Sequence, residues 1–281
     1  MPRISLESII EAVNDIPALP HVVVRIMQLT DDPNTTPQDI HSVLNQDQAM
    51  TARVLRLANS AYYGYARRIA TITDAVVLLG FNTIRSIVMA AAVSELLNKK
   101  IEGYALEEGE LWRHSQASAI TARFLARRCK FAQVDLAYTA GLLHDIGKVI
   151  LNRYMKDAYH EVVDLVSNQE MPFMQAEEQV LGCNHALIGA RVAEKWSLPP
   201  QLVEAIQLHH YPDLAQANEK LTAIVHMADA ICLSMGIGVG VDGLLYPVSA
   251  HAVKILGMSE ADIENQVSEL ADVLADPTAF K

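Results

Sequence analysis

Apolar residues recur at helical spacing along most of this chain, and this periodicity restricts the fold more than any other feature. In TIRSIVMAAAVSELL (83–97), Ile84, Ile87, Val88 and Ala91 fall on one stripe of a helix. Apolar residues make up 51% of the chain and aromatic residues only 6%, a balance that favours helices over sheets. The sequence therefore predicts an all-α protein.

One polar segment separates the predicted helices into two groups. The 281 residues are enough for one large domain or for two packed lobes. The segment NKKIEGYALEEGE (98–110) contains two glycines and interrupts the apolar periodicity. We therefore predict two packed helical lobes, the first over residues 1–100 and the second over residues 101–281.

Capping residues predict where several helices begin. Thr36 with Pro37, and Asp47 further on, stand directly before apolar-periodic stretches, where their side chains can accept hydrogen bonds from the first amides. In the second lobe the predicted helices cover 108–130, 134–152, 156–169, 174–182, 185–196, 200–210, 218–235, 247–256 and 259–274.

Charge and cysteine content exclude several classes of protein. The net charge of −11 at pH 7 repels phosphate backbones and argues against non-specific nucleic-acid binding. Cys129, Cys183 and Cys232 are an odd number without CxxC spacing, as expected of reduced thiols. No apolar run approaches the roughly 18 residues of a membrane span, and MPRISLESII lacks a signal-peptide core. We expect a cytoplasmic protein that does not act on membranes.

Histidines and aspartates of the second lobe lie on different predicted helices or helix ends. A helical bundle can direct such side chains to one point, and imidazole with carboxylate suits divalent Fe, Mn, Zn or Ni better than Mg or Ca. The candidate metal ligands are His114, His144, Asp145, His185, His209, His210 and Asp229.

The stretch GLLHDIGK (141–148) places two of these candidates side by side. His144 and Asp145 lie about 100° apart around a helix, so an irregular turn can direct both to one cation, and Asp145 can bridge two ions. Lys148 follows on the face of Asp145, where its ammonium can stabilise a phosphate oxygen. Glu110, one turn before His114, is a further oxygen ligand in this interpretation.

Each of these residues also has a simpler interpretation. A single histidine near a helix end is usually a hydrogen-bonded polar group or a partner of the helix dipole. We interpret His21, His41, His160 and His251 in this way. His226, one turn before Asp229, is either a surface or core residue or a group that contacts a metal ligand from behind.

The order of the candidate residues resembles the HD superfamily of metal-dependent phosphohydrolases. The HD-GYP branch is the most similar one, through His185 in NHALIGA, the pair His209-His210 in LHHYP, and Lys148. This resemblance implies one ion held by His114, His144, Asp145 and Asp229. It implies a second ion held by Asp145, His185, His209 and His210, and a third with Glu110.

The first lobe resembles the HDOD family of bacterial signalling output domains. The matching stretches are IPALPHVVVRIMQLTDDP (16–33), VLNQDQAMTARVLRLANSAYYG (43–64) and ITDAVVLLGFNTIRSIVM (72–89). Many members of that family lack the metal-binding residues, whereas this sequence retains a full set. The loop after His210 reads YPDLAQANEK and lacks the glycine-rich GYP segment, so the resemblance does not extend to cyclic dinucleotide substrates.

Three functions fit these patterns. In the first, a metal-dependent phosphohydrolase acts on a phosphate ester or nucleotide, with Asp145 positioning the ions and Lys148 stabilising charge on the phosphoryl group as catalytic residues. In the second, the metal is structural and the chain is a catalytically silent module that contacts a protein signalling partner. In the third, no metal binds and the histidines form a hydrogen-bonded polar core.

Overall fold

The computed structural model of the chain describes residues 6–63, 65, 67–241 and 247–274. Regular structure in these residues is helical, without a β-strand, and one isolated bridge joins Ile101 to Leu106. The predicted all-α fold is confirmed. None of the described helices combines the length and the apolar character that crossing a lipid bilayer requires.

The smaller of two compact units contains Leu19–Glu95 and, among the described residues near the C-terminal end, 268–274. Two of its helices begin at the predicted caps. The Thr36 hydroxyl accepts from the Asp39 amide while the Asp39 carboxylate accepts from the Thr36 amide, and the Asp47 carboxylate accepts from the Met50 amide at 2.9 Å. The helices of this unit are α2 (His21–Asp31), α3 (Pro37–Leu44), α4 (Gln48–Ala58), α5 (Ile72–Leu79) and nearly all of α6 (Phe81–Leu97).

The larger unit contains the residues up to Ala18 together with Leu96–Val267. Units of dense contact are not necessarily separate domains, so the domain limits at residue 100 stay a prediction. Its helices are α1 (Leu6–Val13), α7 (Glu110–Arg128), α8 (Val134–Leu143), α9 (Gly147–Gln169), α10 (Phe173–Leu181), α11 (His185–Lys195), α12 (Pro200–Leu208), α13 (Glu219–Ser234), α14 (Ala250–Leu256) and the start of α15 (Glu260–Leu274).

Helix α7 forms the centre of the larger unit and packs against α8 and α13. Small residues let these helices approach closely. A Cβ at Gly141 of α8 would lie 2.7 Å from the carbonyl oxygen of Ser118 on α7, a distance that packed atoms do not tolerate. The polar face of α7 that carries His114 is therefore enclosed by its neighbours, and His114 is buried.

One helix boundary differs from the prediction. The sequence pattern predicts helices over 134–152 and 156–169, but α8 ends at Leu143 and α9 runs unbroken from Gly147 to Gln169. Residues 152–156 (NRYMK) include neither proline nor glycine, so nothing interrupts the helix there. The break falls instead at residues 144–146, which places His144 and Asp145 in a turn between two helices.

Candidate metal centre

Most of the candidate ligands lie at helix ends of the larger unit. His144 follows α8, His185 is the first residue of α11, and His209 follows the last residue of α12. A side chain at a helix end can leave the helix surface at an angle that a residue inside the helix cannot adopt. His114 and Asp229 lie inside α7 and α13, two helices that pack against each other.

These residues converge in two adjacent groups of ligand atoms. In the first group, His114 Nε2 lies 3.0 Å from Asp229 Oδ1, and His144 Nε2 lies 3.6 Å from the same oxygen. In the second group, His185 Nε2 lies 2.8 Å from His210 Nε2. Ligand atoms within each of three overlapping sets lie within 4.8 Å of one another: His114, His144 and Asp229; His144, Asp145 and His209; and His185, His209 and His210.

Asp145 connects the two groups because its two carboxylate oxygens face different neighbours. Asp145 Oδ2 lies 3.6 Å from His114 Nε2 and 3.4 Å from His144 Nε2. Asp145 Oδ1 lies 3.4 Å from His185 Nε2 and 4.0 Å from His209 Nε2. We call the side of Oδ2, with His114, His144 and Asp229, the first half-site. The second half-site is the side of Oδ1, with His185, His209 and His210.

Hydrogen bonds at the rear of the imidazole rings fix which nitrogen faces the centre. Carbonyl and carboxylate oxygens can only accept, so each Nδ1 that contacts one carries the proton, and a neutral ring then has its lone pair on Nε2. The Nδ1 contacts are His114 with Ile237 O at 2.9 Å, His144 with Gly141 O at 2.8 Å, His185 with Glu177 Oε2 at 2.7 Å and His209 with Ile206 O at 2.7 Å.

The inward-facing nitrogens need a cation. His114 faces an acceptor with each of its two nitrogens, Ile237 O behind and Asp229 Oδ1 in front, although a neutral ring has one N–H. The Nε2 atoms of His144 and His209 are buried and have no hydrogen-bond partner. Buried polar atoms without partners are rare in proteins, and a metal ion satisfies nitrogen lone pairs and carboxylates together.

The pKa shifts of the imidazoles differ between the two half-sites. Burial alone raises the pKa of Asp145, but the charges of His144 and Lys148 outweigh it and hold this pKa well below its usual range. Burial opposes the charged form of His144, yet Asp145 and Asp229 raise its pKa to about 10. Burial, with the charges of neighbouring imidazoles, lowers the pKa of His209 and His210 well below the usual value, which favours the neutral, ligating form of both rings.

The donor set fits divalent transition metals. Five imidazoles and two carboxylates supply the nitrogen and oxygen ligands that suit Fe, Mn, Zn and Ni, and these ligands do not select one of them. The sequence predicts that these side chains converge, and the structure brings their ligand atoms together. Their division between two ions stays a prediction. The ligand roles themselves stay predictions.

The two remaining candidate residues, Lys148 and Glu110, do not contribute to the converging imidazole and aspartate atoms. Lys148 is 3% exposed and its ammonium donates to Asp145 Oδ2 at 2.5 Å, so this group lies beside the first half-site. Glu110 is not among the converging ligand atoms. Its Oε2 accepts from the Glu107 amide at 2.7 Å, which directs the carboxylate to the backbone before α7 rather than to the first half-site.

Three residues that contact the ligands from behind were not assigned from the sequence. Glu177 and Tyr104 are not among the candidates that the sequence predicts, and for His226 the sequence does not decide between a surface or core role and a contact with a ligand. His226 is buried, donates through Nδ1 to His209 O at 2.7 Å and accepts from the Ser249 amide at 2.9 Å. Glu177 had a readable signal, because it occupies an apolar-face position of α10 between Phe173 and Leu181.

The side chains of the centre are almost completely buried. Of the metal-ligand candidates that converge, all but one are at most 2% exposed: His114, His144, Asp145, His185, His209 and Asp229. His210 is the exception, with intermediate exposure.

Known proteins are similar to this chain over most of its length and not only at the site. An uncharacterised protein of Treponema pallidum (strain Nichols) is 26% identical over 78% of this chain, and the match spans 42% of that relative's length. The crystal structure of an HDOD domain protein of unknown function from Geobacter sulfurreducens aligns with a TM-score of 0.75 and 30% identity, covering 97% of this chain and 96% of that one.

A second similar structure is that of a Shewanella amazonensis SB2B protein that is named as a candidate phosphohydrolase. It aligns with a TM-score of 0.74 and 27% identity over 97% of this chain and 96% of that one. The profile of the HDOD domain matches residues 16–212, which is most of the chain. This chain therefore belongs to the HDOD domain family.

Proposed function

We propose that this chain is a bacterial signalling protein that binds two divalent transition-metal ions and hydrolyses a phosphate ester of a small molecule or nucleotide. One observation carries the proposal. The oxygens of Asp145 face two different sets of imidazole nitrogens, 3.4 Å from His144 Nε2 on one side and 3.4 Å from His185 Nε2 on the other. A carboxylate whose two oxygens face two sets of imidazole nitrogens supports a dinuclear centre.

Divalent cations, when bound, supply Lewis-acid activation of water and neutralise charge on a phosphoryl group. The residues of the chain provide the rest. Asp145 would hold both ions at a fixed separation, and Lys148, at 2.5 Å from Asp145 Oδ2, would place a fixed positive charge beside the reacting group.

Other properties support this assignment. The similar Shewanella protein is named as a candidate phosphohydrolase. The net charge of −11 fits a small anionic substrate drawn to a local cationic centre better than a nucleic-acid backbone. The cysteines Cys129, Cys183 and Cys232 are all unpaired, as in a reducing cytoplasm.

Turnover of bis(p-nitrophenyl) phosphate tests the catalytic part. Protein purified without a metal-affinity tag should hydrolyse it after loading with Mn²⁺, Fe²⁺, Ni²⁺ or Zn²⁺, and Asp145→Ala and His144→Ala should each reduce turnover to background. Asp157→Ala, which removes an exposed carboxylate of α9, is the matched control and should keep full activity. Turnover that survives in both site variants would come from another site or from a contaminant.

A second function, a catalytically silent module with a structural metal, is favoured by one observation. The ligands of the first half-site are at most 2% exposed, as expected of a closed structural centre. In this case the chain would contact a protein signalling partner. Wild-type protein would then contain metal without hydrolysing any phosphodiester, and Asp145→Ala would lose metal and thermal stability together.

A further inference from the structure

Glu177 is a buried carboxylate that the proposed reaction does not use. It lies on α10, is fully enclosed, and stands on the face of the helix that packs into the core beside Phe173 and Leu181. Burying a carboxylate costs several kcal/mol unless hydrogen bonds compensate it, and an apolar residue would fill the same space without that cost. A carboxylate buried at this position therefore indicates that Glu177 has a polar role.

Within the described part of the chain, both oxygens of this carboxylate accept hydrogen bonds from buried donors. Glu177 Oε2 accepts from the backbone amide of His185 at 2.9 Å and from His185 Nδ1 at 2.7 Å, while Glu177 Oε1 accepts from the hydroxyl of Tyr104. Tyr104 is itself enclosed, and its ring also contacts the imidazole of His185 edge to face, with centroids 6.2 Å apart. The network fixes both the orientation and the tautomer of one imidazole.

We propose that Glu177, held by Tyr104, is the positioning residue of the second half-site. It keeps the proton of His185 on Nδ1, so that Nε2 presents its lone pair 2.8 Å from His210 Nε2 and 3.4 Å from Asp145 Oδ1. The hydrogen bond from Nδ1 to a carboxylate is charge-assisted, so it holds the ring in this orientation more firmly than a bond to a neutral acceptor would. This inference rests on the proposed function in so far as it assigns a metal ion to these nitrogens.

The imidazole rings of the centre differ in the group that accepts from Nδ1, and this difference supports a specific role for Glu177. Behind His114, His144 and His209 the acceptor is a neutral backbone carbonyl, whereas behind His185 it is a carboxylate. A carboxylate acceptor strengthens the ligand more than a carbonyl does. We therefore expect changes at Glu177 to weaken the second ion selectively.

The first experiment measures the tautomer of His185 in metal-free protein. Long-range ¹H–¹⁵N spectra of the imidazoles, with the His185 signals assigned by their loss in His185→Gln, should show a proton on Nδ1 in the wild type. Glu177→Leu should move this proton partly or wholly to Nε2, whereas Glu177→Gln should leave it in place because an amide oxygen still accepts. An unchanged Nδ1 proton in Glu177→Leu overturns the proposal.

The second experiment measures metal affinity by competitive titration with Mn²⁺ in the wild type, Glu177→Gln, Glu177→Leu and the exposed neighbour control Glu178→Gln. We expect the second ion to bind about 10- to 100-fold more weakly in both Glu177 variants, with the first ion and the control unchanged. Equal second-ion affinity in Glu177→Gln, the variant that best preserves the fold, overturns the proposal.

The two experiments separate this inference from the function on which it rests. Wild-type protein that binds no metal contradicts the proposed function, and the tautomer measurement in metal-free protein still decides whether Glu177 fixes His185. Wild-type protein that binds two ions with the same affinities in every Glu177 variant leaves the metal centre in place and removes Glu177 from it.

Discussion

At the scale of single residues, the centre is a balance of buried charges. Asp145 and Asp229 are at most 2% exposed, and Lys148 supplies a fixed positive charge beside one of them. Without a further cation His144 takes up a proton, because Asp145 and Asp229 raise its pKa to about 10 despite the opposing effect of burial. Metal ions would take over this role, and the protein should then depend less on Lys148.

Lys148→Met tests this dependence. The substitution keeps the length of the side chain but leaves Asp145 Oδ2 without its ammonium partner at 2.5 Å. In chelator we expect the free energy of unfolding to fall by about 3–5 kcal/mol, as for other buried pairs that lose one partner. With Mn²⁺ present the loss should be clearly smaller, because the bound ions compensate Asp145. Urea denaturation under both conditions measures the difference.

The control is Lys156→Met, which removes a lysine that is 64% exposed and paired with Glu102. A surface pair of this kind contributes at most about 1 kcal/mol, so this variant should unfold like the wild type under both conditions. If Lys148→Met were as stable as the wild type in chelator, the buried charges would not be balanced as described.

The candidate residues could be found from the sequence, but their contacts could not. The pattern of histidines and aspartates selects the residues that converge, since few other roles require so many of them on separate helices. It assigns Glu110 to the centre because it shares a helix face with His114, and the fold instead directs this carboxylate to the Glu107 amide. Glu177 stands out as a carboxylate on the apolar face of α10, but the sequence does not show its contact with His185, because His185 lies on another helix.

At the scale of helices, the approach of α9 to α11 sets the distance between Asp145 and His185. Two glycines meet where these helices cross. A Cβ at Gly147 would lie 2.0 Å from the His185 carbonyl oxygen and 2.6 Å from the Gly189 amide nitrogen, and neither backbone atom can move without its helix. Glycine at position 147 is therefore required for Asp145 and His185 to share the centre.

Gly147→Ala should separate the two helices. We expect a loss of about 1–3 kcal/mol in the free energy of unfolding from overpacking, together with weaker binding of the second metal ion. Gly189→Ala is the graded comparison, because a Cβ there would first meet the flexible Ile206 side chain at 3.0 Å. It should cost less in both measurements. Equal stability and metal affinity for Gly147→Ala and the wild type would contradict this account of the crossing.

The sequence predicts the helices better than the breaks between them. Apolar periodicity and the caps at Thr36 and Asp47 locate helices because both are local signals. The turn at residues 144–146 carries neither proline nor glycine, so no local signal marks it before Gly147. Packing of α9 against α11, a contact between distant parts of the chain, accompanies the break at this point.

At the scale of the whole molecule, helix packing in the larger unit turns separated residues into one centre. Positions from His114 to Asp229 come together because α7, α8, α11, α12 and α13 enclose a common interior. A composition rich in small aliphatic residues predicts this all-α packing, and membership of the HDOD family agrees with it. The family does not determine whether the retained ligands bind metal, since that depends on side-chain geometry.

Metal content of the purified protein tests the central claim most directly. Elemental analysis of wild-type chain, prepared without an affinity tag and dialysed against metal-free buffer after loading, should give two divalent transition-metal ions per chain. Asp145→Ala, which removes the carboxylate shared by both half-sites, should lose most of that metal. A wild-type chain without bound metal, or an Asp145→Ala variant with the same content as the wild type, would contradict the account.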